Sequence, residues 1–301
     1  DYLKHIKQEV EHFFGIEPYK TYRNYFNVYT AIPLSTESGV GTVNTIRYNR
    51  FSTTFTGGVG LKADYDEIFS YALGAPTVNK DNLKETLIII VPNSTDYGGI
   101  QMWPDGSAIA FCPLSTYGYP LDTRGVVQHE AGGHGFGKLG DEYIYHNAFI
   151  DACSCTCCGH VMEFNSAKSL GWYDNLSLTG KMHNVGWSHL IFDDRYSDIV
   201  DVYEGGYMHN RGVFRSEQNS CMNNDIPYYS TISRESIVKR IKRYAGEEFS
   251  FEEFVKYDKS DAGDVTRGVN TDNKLNAHTY QHTPVIHKGS PLNMKKVRRH
   301  R

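Results

Sequence analysis

Residues 126–143 read VVQHEAGGHGFGKLGDEY, and this run constrains the fold more than any other part of the chain. Asp122 or Thr123 is placed to cap a helix that begins just before it. Two histidines inside the run, His129 and His134, lie five positions apart. In a regular α-helix, five positions leave two side chains about 140° apart around the axis, so the imidazoles would diverge. A π-bulge adds one residue to a turn and returns them to one face. Gly132 and Gly133 lie between the histidines, where a widened turn meets least steric resistance. The spacing therefore predicts a helix with a one-residue bulge, presenting both imidazoles to one point.

Two converging imidazoles with a glutamate directly after the first form the donor set of a hydrolytic zinc centre. A catalytic Zn2+ takes three protein ligands and leaves a fourth position for water, whose pKa falls to about 7. Glu130 follows the first ligand, so its carboxylate can serve as general base on that water and then protonate a leaving amine. A bare His-Glu-His helix also arises by chance. Here a strand before it and GFGKLGDEY after it argue for a functional site.

Around that helix, strands and helices alternate, which predicts an α/β fold. Residues 2–14 form a helix with Leu3, Ile6, Val10 and Phe13 on one face and Gly15 as the stop. Residues 25–33 and 44–55 read as strands, and 64–73 as a helix ending before Gly74. ETLIIIVP (85–92) reads as a buried central strand. Residues 100–114 read as two strand segments joined at Pro104-Asp105-Gly106. From 146 to 220 periodicity weakens and the chain reads as loop-rich. SRESIVKRIKRY (233–244) restores a helix, with Ile237, Val238, Ile241 and Tyr244 on one face and Glu235 paired to Lys239. The expected organisation is a domain over 1–257, with an α/β part to about residue 145 and a loop-rich part after it, followed by a polar tail over 258–301.

Composition narrows the function classes. A net charge of −4 gives no sign of a nucleic-acid partner. The strongest apolar run, Leu87–Val91, is far shorter than the ~18 residues of a membrane span. The chain starts at Asp1 and shows no signal peptide, which reads as a processed product or an excised domain. Four of its six cysteines are Cys153, Cys155, Cys157 and Cys158; the others are Cys112 and Cys221. Disulfides, free thiols and a second metal site are all open for the cluster, although the adjacent pair 157–158 fits disulfide geometry poorly.

At HEAGGHGFGKLGDEY the sequence resembles the M64 metallopeptidases, the immunoglobulin A peptidase family, whose members often carry His-Glu-Phe-Gly-His-Ser-Phe leading to Asp-Glu-Tyr. His134, Phe136, Leu139, Asp141, Glu142 and Tyr143 stand in register with that run, and the added glycine is the departure. A zinc motif with one extra residue is also known in the dipeptidyl-peptidase III family. YEGGYMHNRGVFRSEQNSCMNN (203–224) continues the likeness, with Met222 as candidate for a metzincin-like methionine turn. SRESIVKRI resembles the helix that follows, so the likeness spans about residues 20–245.

The resemblance implies a metzincin-like catalytic domain: a mixed twisted sheet, an active-site helix and a loop-rich C-terminal subdomain. It implies a zinc endopeptidase acting on a protein or peptide substrate in a secreted, periplasmic or surface location, and the chain is expected to be a monomer. The third ligand is expected where the chain turns back over Gly137–Gly140. Gly140 cannot bind, so Asp141 leads, with Glu142, His146, His160, His183 and His209 as alternatives. By analogy with metzincins, SAIAFCPL (107–114) would be a sheet-edge strand able to pair with an extended peptide. A zinc amidase or deacetylase acting on glycan or cell-wall amides is the competing enzyme class, since the same water attacks any amide. A binding module with a vestigial metal site is the third possibility, and an intact Glu130 speaks against it.

Overall fold

The computed structural model describes residues 2–103, 107–151 and 159–259. The fold is mixed α/β, and its described residues divide into two compact units: residues 2–13 with 27–136, and residues 14–26 with 137–259.

In the first unit, Asp64 caps helix α2 (Tyr65–Ala72) by accepting from the Glu67 amide. A three-stranded sheet holds β3 (Leu87–Ile90), β4 (Ile100–Met102) and β5 (Ala108–Phe111) in the order β3-β5-β4. β3 runs parallel to β5 with Leu87 opposite Ala108, and β4 runs antiparallel to β5 with Met102 opposite Ile109. The period of two sorts the side chains. Ile109, Phe111, Ile100 and Met102 pack with Phe51, Phe55, Leu61 and Ile68 in one core. Burying each large side chain there contributes about 1.5–3 kcal/mol. The other face carries Leu87, Gln101 and the small residues Ala108 and Ala110, against which the His129 helix lies.

Several expectations change here. ETLIIIVP is an outer strand and only half-buried, while the central strand is β5, all four of whose residues are buried. Hydropathy alone could not order the strands, because Leu-Ile-Ile-Ile outscores Ala-Ile-Ala-Phe although the alanines mark the face that a helix approaches closely. For the same reason SAIAFCPL is not at a sheet edge; β4 is. Residues 25–33 form no strand: Tyr25 ends a short 3-10 turn, and Val28 and Ile32 are exposed. Of 44–55 only β1 (Thr54–Phe55) is a strand, paired with β2 (Leu61–Lys62), while Thr45 makes an isolated bridge to Thr42. Alternation marks a strand only when a partner stands beside it. The turn at Pro104-Asp105-Gly106 lies outside the described residues. Helix α1 (Tyr2–Phe14) forms as read, but Leu3 is exposed and the buried positions are Glu9, Phe13 and Phe14.

The second unit contains a four-stranded sheet where the sequence reads as loops. β9 (Met208–Arg215) is central. It runs parallel to β6 (Ile144–Phe149) and antiparallel to β7 (Leu176–Ser177) and β8 (Tyr203–Gly206). Two register shifts in the β6–β9 pair and positive φ at Tyr207, Met208 and Gly212 break the alternation that would have betrayed these strands. Around them lie α4 (His160–Lys168), α5 (Ser188–Ile191), α6 (Cys221–Asn224), α7 (Thr231–Ala245) and α8 (Phe251–Tyr257). α7 ends at Gly246 with φ 71°, and its Glu235–Lys239 pair forms at 2.7 Å. Ile237, Val238 and Ile241 are buried as expected, whereas Tyr244 is exposed. Arg234 on α7 is 1% exposed and is balanced by Asp258, to which Nε and Nη2 donate at 2.7 and 2.8 Å. No helix among the described residues is long and apolar enough to cross a membrane. Residues 260–301, most of the expected tail, lie outside them.

Candidate metal centre

The site starts at Asp122. Its carboxylate accepts from the Gly125 amide at 3.0 Å and starts the one-turn helix α3 (Thr123–Val126). The chain then continues as a π-helix from Val127 to Phe136. The expected one-residue bulge is thus a longer feature, ten residues of i→i+5 geometry. Glycine permits the close seating. A Cβ on Gly135 would meet Leu87 Cδ1 at 2.6 Å and Gln101 Oε1 at 2.9 Å. Gln128 anchors the opposite side by donating to the His12 carbonyl at 3.0 Å.

This widened helix puts His129 and His134 on one face. Their Nε2 atoms are 3.1 Å apart and their ring centroids 4.8 Å apart, with 4% and 1% of each residue exposed. Two nitrogens bound to one tetrahedral zinc at ~2.0–2.1 Å lie about 3.3 Å apart, so the pair fits such an ion. Asp141 completes a group in which one ligand atom from each of the three residues lies within 4.8 Å of the others; these residues could hold a metal ion. Glu142 is not in that group, and neither are His146, His160, His183 and His209.

Glu130 is 2% exposed, and its carboxylate lies against the backbone at the start of β4. A Cβ added to Gly99 would come within 3.2 Å of Glu130 Oε1 and 2.9 Å of Val126 Cγ1. Gly99 is therefore a site residue that the sequence reading missed. The signal was present in the Gly98-Gly99 pair ahead of a strand, where adjacent glycines mark close approach. Substituting Gly99 with alanine should displace the Glu130 side chain and lower turnover, while metal content stays unchanged by direct metal analysis.

The segment leading to Asp141 is held by its backbone. The positive φ needed to turn it falls on Lys138, at 57°, and not on Gly137. Lys138 O accepts from Tyr173 N at 2.8 Å, and Asn175 brackets Gly140, accepting from its amide at 2.9 Å and donating to its carbonyl at 2.8 Å. The Asp141 carbonyl accepts from Tyr207 N at 2.8 Å. Burial raises the Tyr145, Tyr173 and Tyr207 phenols, and the Asp141 charge raises each of them further.

Glu142 works beneath this segment. Its amide donates to the Met222 carbonyl at 2.8 Å. One carboxylate oxygen accepts from Asn175 Nδ2 at 2.8 Å, and the other accepts from the Ser220 hydroxyl. Ser220 in turn caps α6, accepting from Met222 N at 3.1 Å. Met222 is fully buried. The residue after Asp141 is thereby tied to the methionine that the sequence singled out.

Burial pushes the Glu142 carboxyl from an ordinary 4.5 up to about 7, against the lowering effect of the Ser220 and Asn175 hydrogen bonds. A folded-state pKa above the unfolded one means that the native chain binds this proton more tightly. The stabilisation is complete below about pH 4.5 and is lost as pH rises through about 7. Without added metal, the difference in unfolding free energy between the wild type and Glu142→Gln should change by up to about 3 kcal/mol between pH 4.5 and 7.5. Urea melts at the two pH values measure it, and parallel pH dependences would refute it.

The extra residue can be tested by deletion. Removing Gly133 creates the ordinary four-residue histidine spacing, but it shortens a π-helix whose geometry runs to Phe136. If the helix start is kept, Phe136 moves into the slot where even a methyl on Gly135 would collide with Leu87. The deletion variant should bind metal weakly or not at all. Full metal content would show that the distortion is merely tolerated.

The family model for IgA Peptidase M64 matches residues 1–153, just over half of the chain, including the whole π-helix and Asp141. The chain belongs to this family. A comparison with curated protein sequences finds no match. Membership of M64 implies peptidase activity, and the buried His129, His134 and Asp141 of this M64 chain are the residues that could bind the metal of a metallopeptidase.

Proposed function

We propose that the chain is a zinc-dependent endopeptidase that hydrolyses peptide bonds of extracellular proteins. His129, His134 and Asp141 hold the ion, and Glu130 is the general base. The observation that carries this reading is the 3.1 Å approach of two histidine nitrogens across a five-residue spacing, which a regular helix would forbid. When bound, zinc supplies Lewis acidity, polarising the scissile carbonyl and making a water molecule acidic near pH 7. Glu130 takes the proton from the attacking water and delivers it to the leaving nitrogen. Gly99 keeps the backbone clear of this carboxylate, and the backbone hydrogen bonds on both sides of Asp141 hold that residue in place.

The peptide specificity is supported by β4. It is an outer strand antiparallel to its neighbour, with no strand on its other side among the described residues, and Gly99 beside Glu130 leads directly into it. An extended substrate would add there as a further strand, with its scissile bond near Glu130. The fold is read as metzincin-like, with Met222 in the methionine turn below Asp141, the catalytic domain over 1–257 and the protein exported. Digestion of a peptide library by the zinc-loaded chain, with and without a chelator, tests the reading. Chelator-sensitive internal cleavage is expected; no cleavage, or cleavage indifferent to the chelator, would sink it.

A further inference from the structure

Three histidines in the second unit are not used by this chemistry. His146 on β6 and His209 on β9 are register partners across the parallel strand pair, and His160 opens α4. The His209 ring stands 5.3 Å from that of His146 and 5.1 Å from that of His160, centroid to centroid. Imidazoles sharing one tetrahedral ion, with bonds of ~2.0–2.1 Å, have centroids about 5 Å apart.

His209 is fully buried. Its Nδ1 lies 2.6 Å from the Tyr207 carbonyl oxygen, which can only accept, so Nδ1 carries the proton and Nε2 carries the lone pair. That Nε2 is buried with no hydrogen-bond partner, as is Nδ1 of His160. A buried acceptor left unsatisfied is costly, so its lone pair calls for a partner. A ring held by N–H donation to a backbone carbonyl, with its other nitrogen buried and unpartnered, has the outer-shell arrangement of a metal-ligating histidine. Burial also lowers the pKa of both His160 and His209, the direction that keeps an imidazole available as a ligand.

We propose that His146, His160 and His209 form a second transition-metal site, of zinc type, distinct in its residues from the His129–His134–Asp141 group. Its three donor atoms do not all lie within 4.8 Å of one another, unlike those of that group, so the side chains close on the ion by rotation. The partial exposure of His146 and His160 leaves room for this. The site does not depend on the proposed peptidase activity. The sequence places Cys157 and Cys158 just ahead of His160, outside the described residues, so thiolates enter as an arm of the test.

The experiment counts metal. The full chain is loaded with zinc, freed of excess and analysed, then stripped and titrated with cobalt(II) followed by visible absorption. About two ions per chain are expected, against about one in His160→Ala, in His209→Ala and in His129→Ala. The two centres should give separable cobalt spectra, with one lost in His160→Ala and the other in His129→Ala. His160 is a partly exposed first helical residue, so its replacement decides the matter should His209→Ala fail to fold by circular dichroism. A single ion in the wild type that His160→Ala and His209→Ala leave in place overturns the proposal. So does a second ion that survives both histidine replacements, including one lost only in Cys157→Ser with Cys158→Ser, which would belong to thiolates alone.

Discussion

Replacing Glu130 with glutamine should lower peptide hydrolysis by roughly 10²–10⁴-fold while the chain keeps its metal and its fold. Glutamine has nearly the same shape, so it can occupy the space over Gly99 without new crowding. It cannot accept the proton of the attacking water, and the loss should appear in kcat more than in KM. Metal content and thermal melting serve as controls. Zinc loss as severe as in His129→Ala would instead make Glu130 a ligand, and the general-base assignment would fall.

Replacing Asp141 with alanine should have a comparably large effect through a different route. Changes to residues that merely support a ligand cost 10–100-fold in metal affinity, so removing a ligand should cost at least about 100-fold. The backbone around Asp141 should persist, because Tyr207 binds its carbonyl and Met222 binds the next amide whatever side chain is present. Glu142→Ala provides the contrast. It leaves Asp141 in place but strips Asn175 and Ser220 of a shared acceptor, so it should lower the melting temperature and retain the metal. Zinc-binding titrations and thermal melts of the two variants separate the roles. The reverse pattern, or a histidine beyond residue 145 found within ~2.1 Å of the ion, would overturn the ligand assignment and leave the enzyme class standing.

The neighbours Asp141 and Glu142 show how far such a site can be read in advance. In sequence they are two adjacent acids beside a histidine helix, and nothing local says which one faces the ion. In the fold, Asp141 joins the histidines, while Glu142 is spent on Asn175, Ser220 and the segment that carries Met222. Those partners lie 33 and 78 positions away. Gly99, 31 positions before Glu130, acts by lacking a side chain: the Gly98-Gly99 pair marks a close approach in sequence, but only the fold shows that Glu130 is what approaches.

The sequence by itself determined the parts governed by local spacing. It placed the helix cap at Asp122 or Thr123, tied the five-residue histidine spacing to a widened helix through two glycines, and marked out α2 by the glycine after it and α7 by its period and closing glycine. Those features depend on residues within a few turns of one another, where backbone sterics and side-chain period act directly. Strand order, the second sheet and the choice of acid beside the histidines were decided only by tertiary structure. An outer strand of Leu-Ile-Ile-Ile and a central one of Ala-Ile-Ala-Phe differ in what packs on their faces, and β6–β9 is held by backbone pairing across two register shifts. Backbone hydrogen bonds are nearly blind to side-chain identity, so such contacts leave little trace in the order of the residues.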